Sequence, residues 1–343
     1  MKITNNIIFK DSIFNLNESI QLYNKIIILT QKTILNHCDI ESIINHKNVL
    51  YYICKENEEC KSIEEVDKIL NYMIINGCDK DTLLLGVGGG TITDLTGFIA
   101  SVYMRGIDHY FLPTTLLAMV DASIGGKTAI NYKSTRNIIG SFKQADKIFI
   151  NKNFLLTHQK NDLINGFAEI IKYAFILDRQ LFEKINNSNY LLTDIKNNLD
   201  DLELITTECI KHKCQIVDQD FKDNGVRKIL NFGHTIGHAL ETYSNFKLSH
   251  GLAVFHGMKA SLFLSNHLQT LSDDDYELSL ALIEKFNTKW MQNINTDQLL
   301  SFIKYDKKIK NGKINFILLE KIGKAYISND ISKNLLKKAV DNI

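Results

Sequence analysis

A run of aliphatic residues opening onto glycines constrains this chain more than any other feature. It reads Thr82-Leu83-Leu84-Leu85-Gly86-Val87-Gly88-Gly89-Gly90-Thr91-Ile92-Thr93-Asp94, a buried strand passing through a tight turn into a helix. Such a turn exposes backbone N–H groups at a helix N-terminus, a setting that suits a pyrophosphate. It is not the dinucleotide fingerprint, because Thr91 stands where a third glycine belongs. Taken alone, a purely structural turn accounts for it equally well. Its surroundings set the fold class. Strands are expected at Lys25–Leu29, Val49–Cys54, Thr82–Val87, Tyr110–Leu112 and Lys147–Ile150. Between them lie amphipathic stretches such as Ser62–Ile75, apolar at Ile63, Val66, Ile69, Leu70 and Met73. Alternation of this kind predicts a parallel sheet with helices on both faces, binding ligands at the carboxyl ends of its strands.

After Asn151 the texture changes. Residues 161–178, 198–218, 232–244, 253–268, 273–287 and 296–308 read as helices, with little strand signal before Lys313–Leu319. The 343 residues are therefore expected to form an α/β nucleotide-binding domain over 1–152 and a mainly α-helical domain over 153–343. A cleft between two such halves is a common place for chemistry. Forty Lys and Arg against thirty-nine Asp and Glu leave no field that points to nucleic acid or an anionic membrane. No apolar stretch reaches transmembrane length, and residues 1–9 lack the pattern of a signal peptide. Six cysteines without a CxxC pair read as reduced structural thiols, which suggests a cytoplasmic protein.

Two histidines one helical turn apart, in Asn231-Phe232-Gly233-His234-Thr235-Ile236-Gly237-His238, share a helix face. Gly233 and Gly237 remove bulk beside them, so another backbone or a ligand can come close. A third histidine, His250, precedes Gly251. Imidazole is the commonest protein ligand for zinc, and a catalytic zinc usually takes three protein ligands. A pair of ordinary helix-surface histidines is the bland alternative. A zincin protease is excluded, because Thr235 occupies the glutamate position of HExxH. Gly125-Gly126-Lys127-Thr128 is not a P-loop either, since Asp121 stands where the first glycine should be. Lys127 nonetheless sits in flexible backbone, suited to an anionic substrate.

Together these motifs resemble the 3-dehydroquinate synthase family. The matching stretches are GVGGGTITDLTGFIASVYMRG (86–106), LPTTLLAMVDASIGGKTAIN (112–131), NGFAEIIKYAFI (165–176) and GVRKILNFGHTIGHALE (225–241). Sparser matches at 58–62 and 305–308 extend the likeness over nearly the whole chain. The resemblance implies an NAD- and metal-dependent lyase of the shikimate pathway, a homodimer with both groups in the interdomain cleft. Its metal, zinc or alternatively cobalt, would be held by Glu169, His234 and His250. Gly88, Gly89 and Gly90 would face the NAD pyrophosphate, with Asp94, Thr114 and Thr115 nearby, and Glu58 and Lys61 on the adenosine side. Asp121, Lys127, Arg136, Thr157 and Asp162 complete the implied cofactor set. Substrate would meet Asp121, Lys127, Asn137, Lys172, Lys213, Arg227, Asn231 and Lys307, with Arg105 reaching its phosphate, from the partner subunit. His238 would carry protons or contact phosphate in place of binding metal.

The implied reaction converts 3-deoxy-D-arabino-heptulosonate 7-phosphate to 3-dehydroquinate and phosphate. It passes through transient oxidation by NAD, phosphate elimination, re-reduction and an intramolecular aldol closure. Four positions depart from the family pattern: Gln31 and Phe221 replace acids, Arg136 replaces a lysine, and Leu252 replaces a glutamate just after His250. The last would weaken support for that ligand. The rival readings are another sugar-phosphate cyclase, an NAD- and metal-dependent polyol dehydrogenase, and a paralogue that binds NAD without turnover. The cation set Lys127, Lys213 and Arg227 argues against the dehydrogenase, Asn231 and His238 against other cyclases, and the intact metal triad against the inactive paralogue.

Overall fold

The structure is a computed structural model that describes residues 3–9, 12–37, 40, 44–133, 135–158, 160–188, 195, 197–286, 294–303 and 314–343. Two compact units are present, one of Met1–Gln159 with Lys213–Lys222, the other of Lys160–His212 with Asp223–Ile343.

The first unit is built on strands β1 (Ile7–Ile8), β2 (Lys25–Gln31), β3 (Val49–Cys54), β4 (Thr82–Gly88), β5 (His109–Pro113), β6 (Lys127–Tyr132), β7 (Thr135–Phe142) and β8 (Lys147–Phe149). Six of them form one sheet in the order β1-β8-β5-β4-β2-β3, and every pairing is parallel. All seven residues of β4 are buried, which is why its sequence is continuously apolar. From β2 the chain moves outward to β3, then returns to place β4 on the other side of β2. The strand order reverses between β2 and β4, the position where open parallel sheets bind ligands at their carboxyl ends. That end of β4 is the glycine turn, and that end of β2 is Gln31.

Helices cover the sheet as the amphipathic patterns predict. Ile63–Ile75 starts at an N-cap, Ser62, whose side chain accepts from Glu65 N–H. Its apolar stripe of Val66, Ile69 and Met73 joins a core with Ile27, Leu29, Leu84 and Ile99. The antiparallel hairpin β6–β7 was not anticipated. Lys127 opens β6, a strand, where a P-loop lysine would open a helix. Cys54, Cys60, Cys78, Cys209 and Cys214 are buried free thiols, and Cys38 lies outside the described residues.

Among its described residues the second unit is helical apart from a hairpin of β9 (Phe316–Lys321) and β10 (Lys324–Ser328). The expected helices appear as Lys160–Leu177, Leu199–Gln219, His234–Tyr243, His250–His267, Asp273–Glu284 and Thr296–Ile303; the Leu199–Gln219 helix leaves this unit at His212. Arg179–Asn187 and Lys333–Asp341 are further helices. The helix expected from residue 232 begins at His234, because Val226–Asn231 forms a 3-10 turn and Gly233 takes a left-handed φ of 76°. No helix among the described residues is long and apolar enough to cross a membrane.

Candidate active site

Close backbone approach in the second unit assembles a cluster of metal-ligand side chains. A Cβ at Gly257 would lie 1.8 Å from Gly233 O, and one at Gly233 would lie 2.9 Å from Val254 O. Side chains cannot occupy such gaps, so glycine lets the His234–Tyr243 and His250–His267 helices touch backbone to backbone. A Cβ at Gly251 would lie 2.6 Å from Asn165 Cα, which draws in the Lys160–Leu177 helix; Asn165 Oδ1 also accepts from Gly251 N–H at 2.8 Å. Glu169, His234 and His250, one from each helix, therefore converge.

Glu169 Oε1 lies 3.4 Å from His234 Nε2 and 3.3 Å from His250 Nε2, and one ligand atom from each residue falls within 4.8 Å of the others. The remaining ring nitrogens are occupied. His234 Nδ1 lies 3.0 Å from Phe232 O, and His250 Nδ1 lies 3.4 Å from Glu241 Oε1. A carbonyl acceptor fixes the Nδ1–H tautomer of His234 and leaves its Nε2 lone pair for a cation. One carboxylate and two imidazoles in this arrangement fit a zinc-type centre. Glu241 was not singled out by sequence. Its place beside His250 offsets the loss of a glutamate at Leu252.

Electrostatics in the cluster centre on Glu169, which is wholly buried. Burial works to raise its carboxyl, but the Lys172 ammonium and the His234 imidazole outweigh it and hold the group well below the usual carboxylate range. Lys172 is itself buried and donates through Nζ to Glu169 Oε2. Burial lowers His234 to about 4. Burial also opposes charge on His250, but its contacts with Glu169 and Glu241 prevail and push it up to about 10. The His238 ring stands at 90° to that of His234, 5.3 Å between centroids, so the two share a face with only His234 in the donor set. Arg227, buried, and Asn231, whose Nδ2 donates to Lys228 O at 3.0 Å, lie on the Val226–Asn231 turn. Asp162 is exposed in the first turn of the Lys160–Leu177 helix. Lys307 lies outside the described residues.

In the first unit, the glycine turn behaves as its sequence predicts. Gly89 is the N-cap of the Gly90–Val102 helix, leaving the first helical N–H groups without intrahelical acceptors. A Cβ at Gly88 would lie 2.8 Å from Ile92 Cγ1, and one at Gly89 would lie 3.1 Å from Thr115 Cγ2. Thr114 N–H donates to Gly88 O at 3.0 Å, tying β5 to the turn, while Thr114 Oγ1 is buried with no partner among the described residues. This combination of bare backbone, helix N-terminus and unpaired hydroxyl fits a dinucleotide phosphate.

Beside the turn, Lys61 Nζ donates to Asp94 Oδ2 at 2.6 Å and Asn137 Oδ1 at 2.5 Å. Burial works to lower Lys61, but Asp94 and Glu58 outweigh it and keep the ammonium charged. Lys213 Nζ donates to both Asp121 O, at 2.5 Å, and Asp121 Oδ1, at 2.8 Å. Lys127 is exposed at the start of β6, and Arg136 is half-buried on β7. Thr157 Oγ1 donates to Phe154 O at 2.8 Å, and Arg105 is exposed with a left-handed φ of 63°. The departures are accommodated. Gln31 Nε2 donates to Lys55 O at 2.7 Å, and Phe221 packs on Phe142 with 5.6 Å between ring centroids.

The fold is shared with two cyclases solved with NAD+ and a divalent metal bound. The chain superposes with a TM-score of 0.89 on ValA, the 2-epi-5-epi-valiolone synthase of Streptomyces hygroscopicus subsp. jinggangensis solved with NAD+ and Zn2+, at 22% identity over 97% of this chain and 95% of that one. It superposes at 0.86 on a 2-deoxy-scyllo-inosose synthase complexed with carbaglucose-6-phosphate, NAD+ and Co2+, at 22% identity over 98% of this chain and 96% of that one. Sequence is more specific. Residues 51–165 match the family described as 3-dehydroquinate synthase N-terminal, and residues 166–309 the one described as 3-dehydroquinate synthase C-terminal. The 3-dehydroquinate synthase of Clostridium tetani is 37% identical over 88% of this chain and 80% of its own length. That of Rippkaea orientalis is 34% identical over 94% and 90%. The chain belongs to the 3-dehydroquinate synthase family.

Proposed function

We propose that this protein is a 3-dehydroquinate synthase, a lyase of the shikimate pathway that turns 3-deoxy-D-arabino-heptulosonate 7-phosphate into 3-dehydroquinate and phosphate. The convergence of Glu169, His234 and His250 carries the reading, joined to family membership. Those three residues hold the divalent metal, zinc or cobalt. Gly88, Gly89 and Gly90 hold the NAD pyrophosphate, supported by Asp94, Thr114 and Thr115, with Glu58 and Lys61 toward the adenosine and Arg136, Thr157 and Asp162 around it. When bound, the metal polarises the reacting hydroxyl and NAD takes up and returns a hydride.

The protein's own groups orient the substrate and manage its charge. Arg227 presents a planar fork to a carboxylate or phosphate, whereas Lys127, Lys213 and Lys307 act as point charges. Asp121 anchors the Lys213 ammonium. Lys172 balances the Glu169 charge and donates through Nζ to a substrate oxygen. His238 moves a proton through a ring nitrogen, at about the 10²- to 10⁴-fold typical of general acid–base catalysis. Asn231 and Asn137 donate amide hydrogens to substrate oxygens. The enzyme works in the cytoplasm as a homodimer, and Arg105 reaches the substrate phosphate of the partner subunit's site.

Phosphate release from the heptulosonate phosphate tests the reading. Purified protein loaded with zinc releases phosphate only when NAD is present, without net NADH, and EDTA abolishes the activity until zinc is restored. Accumulation of NADH from a polyol, with no phosphate released from the sugar phosphate, overturns it.

A further inference from the structure

We infer that Asn131 is a positioning residue that locks the substrate-side Asn137 and the cofactor-side Glu58 and Lys61 into one arrangement. The roles of those three residues rest on the function proposed above; the position of Asn131 among them does not. Its backbone N–H donates to Lys61 O at 2.7 Å. Its side-chain Nδ2 donates to Glu58 Oε2 at 2.9 Å, and its Oδ1 accepts from Asn137 N–H at 2.9 Å. The circuit closes through Asn137 Oδ1, which accepts from Lys61 Nζ. Asn131 thus touches Glu58 and Asn137 through its carboxamide and Lys61 through its backbone, and Asp94 is held by Lys61.

Backbone geometry points the same way. The β6–β7 ladder pairs Ile130 with Ile139 but Tyr132 with Thr135, so its register shifts at Asn131. Three residues, 136–138, face the single Asn131, as at a bulge that re-aims a side chain. Asn137, the middle one, has a φ of 50°. Asparagine tolerates the left-handed region better than other residues with a side chain, but still at a cost that a fixed contact offsets. The Asn131 carbonyl does so by capturing the Asn137 amide. The site requires a donor and an acceptor at the same reach. Aspartate supplies only acceptors and would set a second carboxylate against Glu58, and alanine supplies neither.

The two halves of the carboxamide give separable signatures. With Asn131→Ala, calorimetry finds NAD bound about tenfold more weakly, and kinetics find KM for the sugar phosphate about tenfold higher with kcat changed under about threefold. Hydrogen exchange at the Asn137 amide quickens about tenfold. With Asn131→Asp, Asn137 stays protected and KM stays near wild type, while NAD affinity alone falls. Adding Glu58→Gln returns a donor to that contact, so the double variant binds NAD no more weakly than Glu58→Gln alone. If Asn131→Ala keeps Asn137 protected and both ligands within about twofold of wild type, the inference is overturned. Equal loss of both ligands in Asn131→Asp, together with a lowered melting temperature, overturns it too. If wild-type protein fails to bind NAD, the proposed function falls, while exchange at Asn137 still decides the linkage.

Discussion

The two units organise charge in opposite ways. In the first, Lys61 and Asp94 form a matched ion pair joined by Asn137, and the adjoining glycine turn offers backbone N–H groups and no side chain. In the second, the buried carboxylate of Glu169 collects an ammonium and two imidazoles whose Nε2 atoms converge on it. The first arrangement is a paired scaffold whose charges already balance. The second is a donor set. Losing one side chain should therefore damage chemistry in the second unit and mainly stability or affinity in the first.

The largest effect expected is on the donor set. His234→Ala should lower kcat/KM for phosphate release by about a thousandfold, roughly 4 kcal/mol of transition-state stabilisation, and added zinc should not repair it. In the first unit, Lys61→Ala leaves the Asp94 carboxylate without its buried partner. Urea titration should show about 3 kcal/mol less stability, part of it recovered by adding Asp94→Asn. His238→Ala should reduce kcat by about a hundredfold, tracked by the same phosphate assay.

His109 gives the first unit a pH signature. It is fully buried on β5, neither ring nitrogen has a hydrogen-bond partner among the described residues, and Asp146 Oδ2 lies 3.6 Å from Nδ1. Burial, helped by Lys143, lowers its pKa from 6.5 to about 3. The unfolded chain takes up the proton first as pH falls, so stability is complete above pH 6.5 and drains away toward pH 3. Denaturation curves should show about 2 kcal/mol lost from this group between about pH 7 and pH 5, and His109→Phe should flatten that slope. The smallest effect belongs to Glu241→Ala, which removes the partner of His250 Nδ1. Competition with a chelator should find zinc about tenfold weaker, with kcat of the loaded enzyme nearly unchanged.

Much of the first unit was legible because its signals are local. Continuous apolar runs gave the five expected strands of the parallel sheet, and the glycines after β4 marked the helix start. The β6–β7 hairpin was missed, since its Gly-Gly entry and mixed polar face resemble a loop and its pairing is non-local. In the second unit, Gly233 and Gly237 advertised a close helix contact beside the two histidines. Gly257 carried no comparable signal, although a side chain there would collide with Gly233 O. Glu169 was legible only through resemblance, because a lone glutamate on an apolar helix has no spacing partner. Glu241 was invisible for a related reason. Its contact with His250 depends on how two helices cross, and no pattern along one helix records that.

On the proposed function the neighbouring histidines divide their labour, His234 binding metal and His238 serving the substrate. Zinc content per chain, measured by mass spectrometry on wild type, His234→Ala and His238→Ala after equal loading and desalting, decides between shared and divided roles. About one zinc is expected in wild type and in His238→Ala, and almost none in His234→Ala. Equal zinc loss in both variants, or full occupancy without His234, would contradict it.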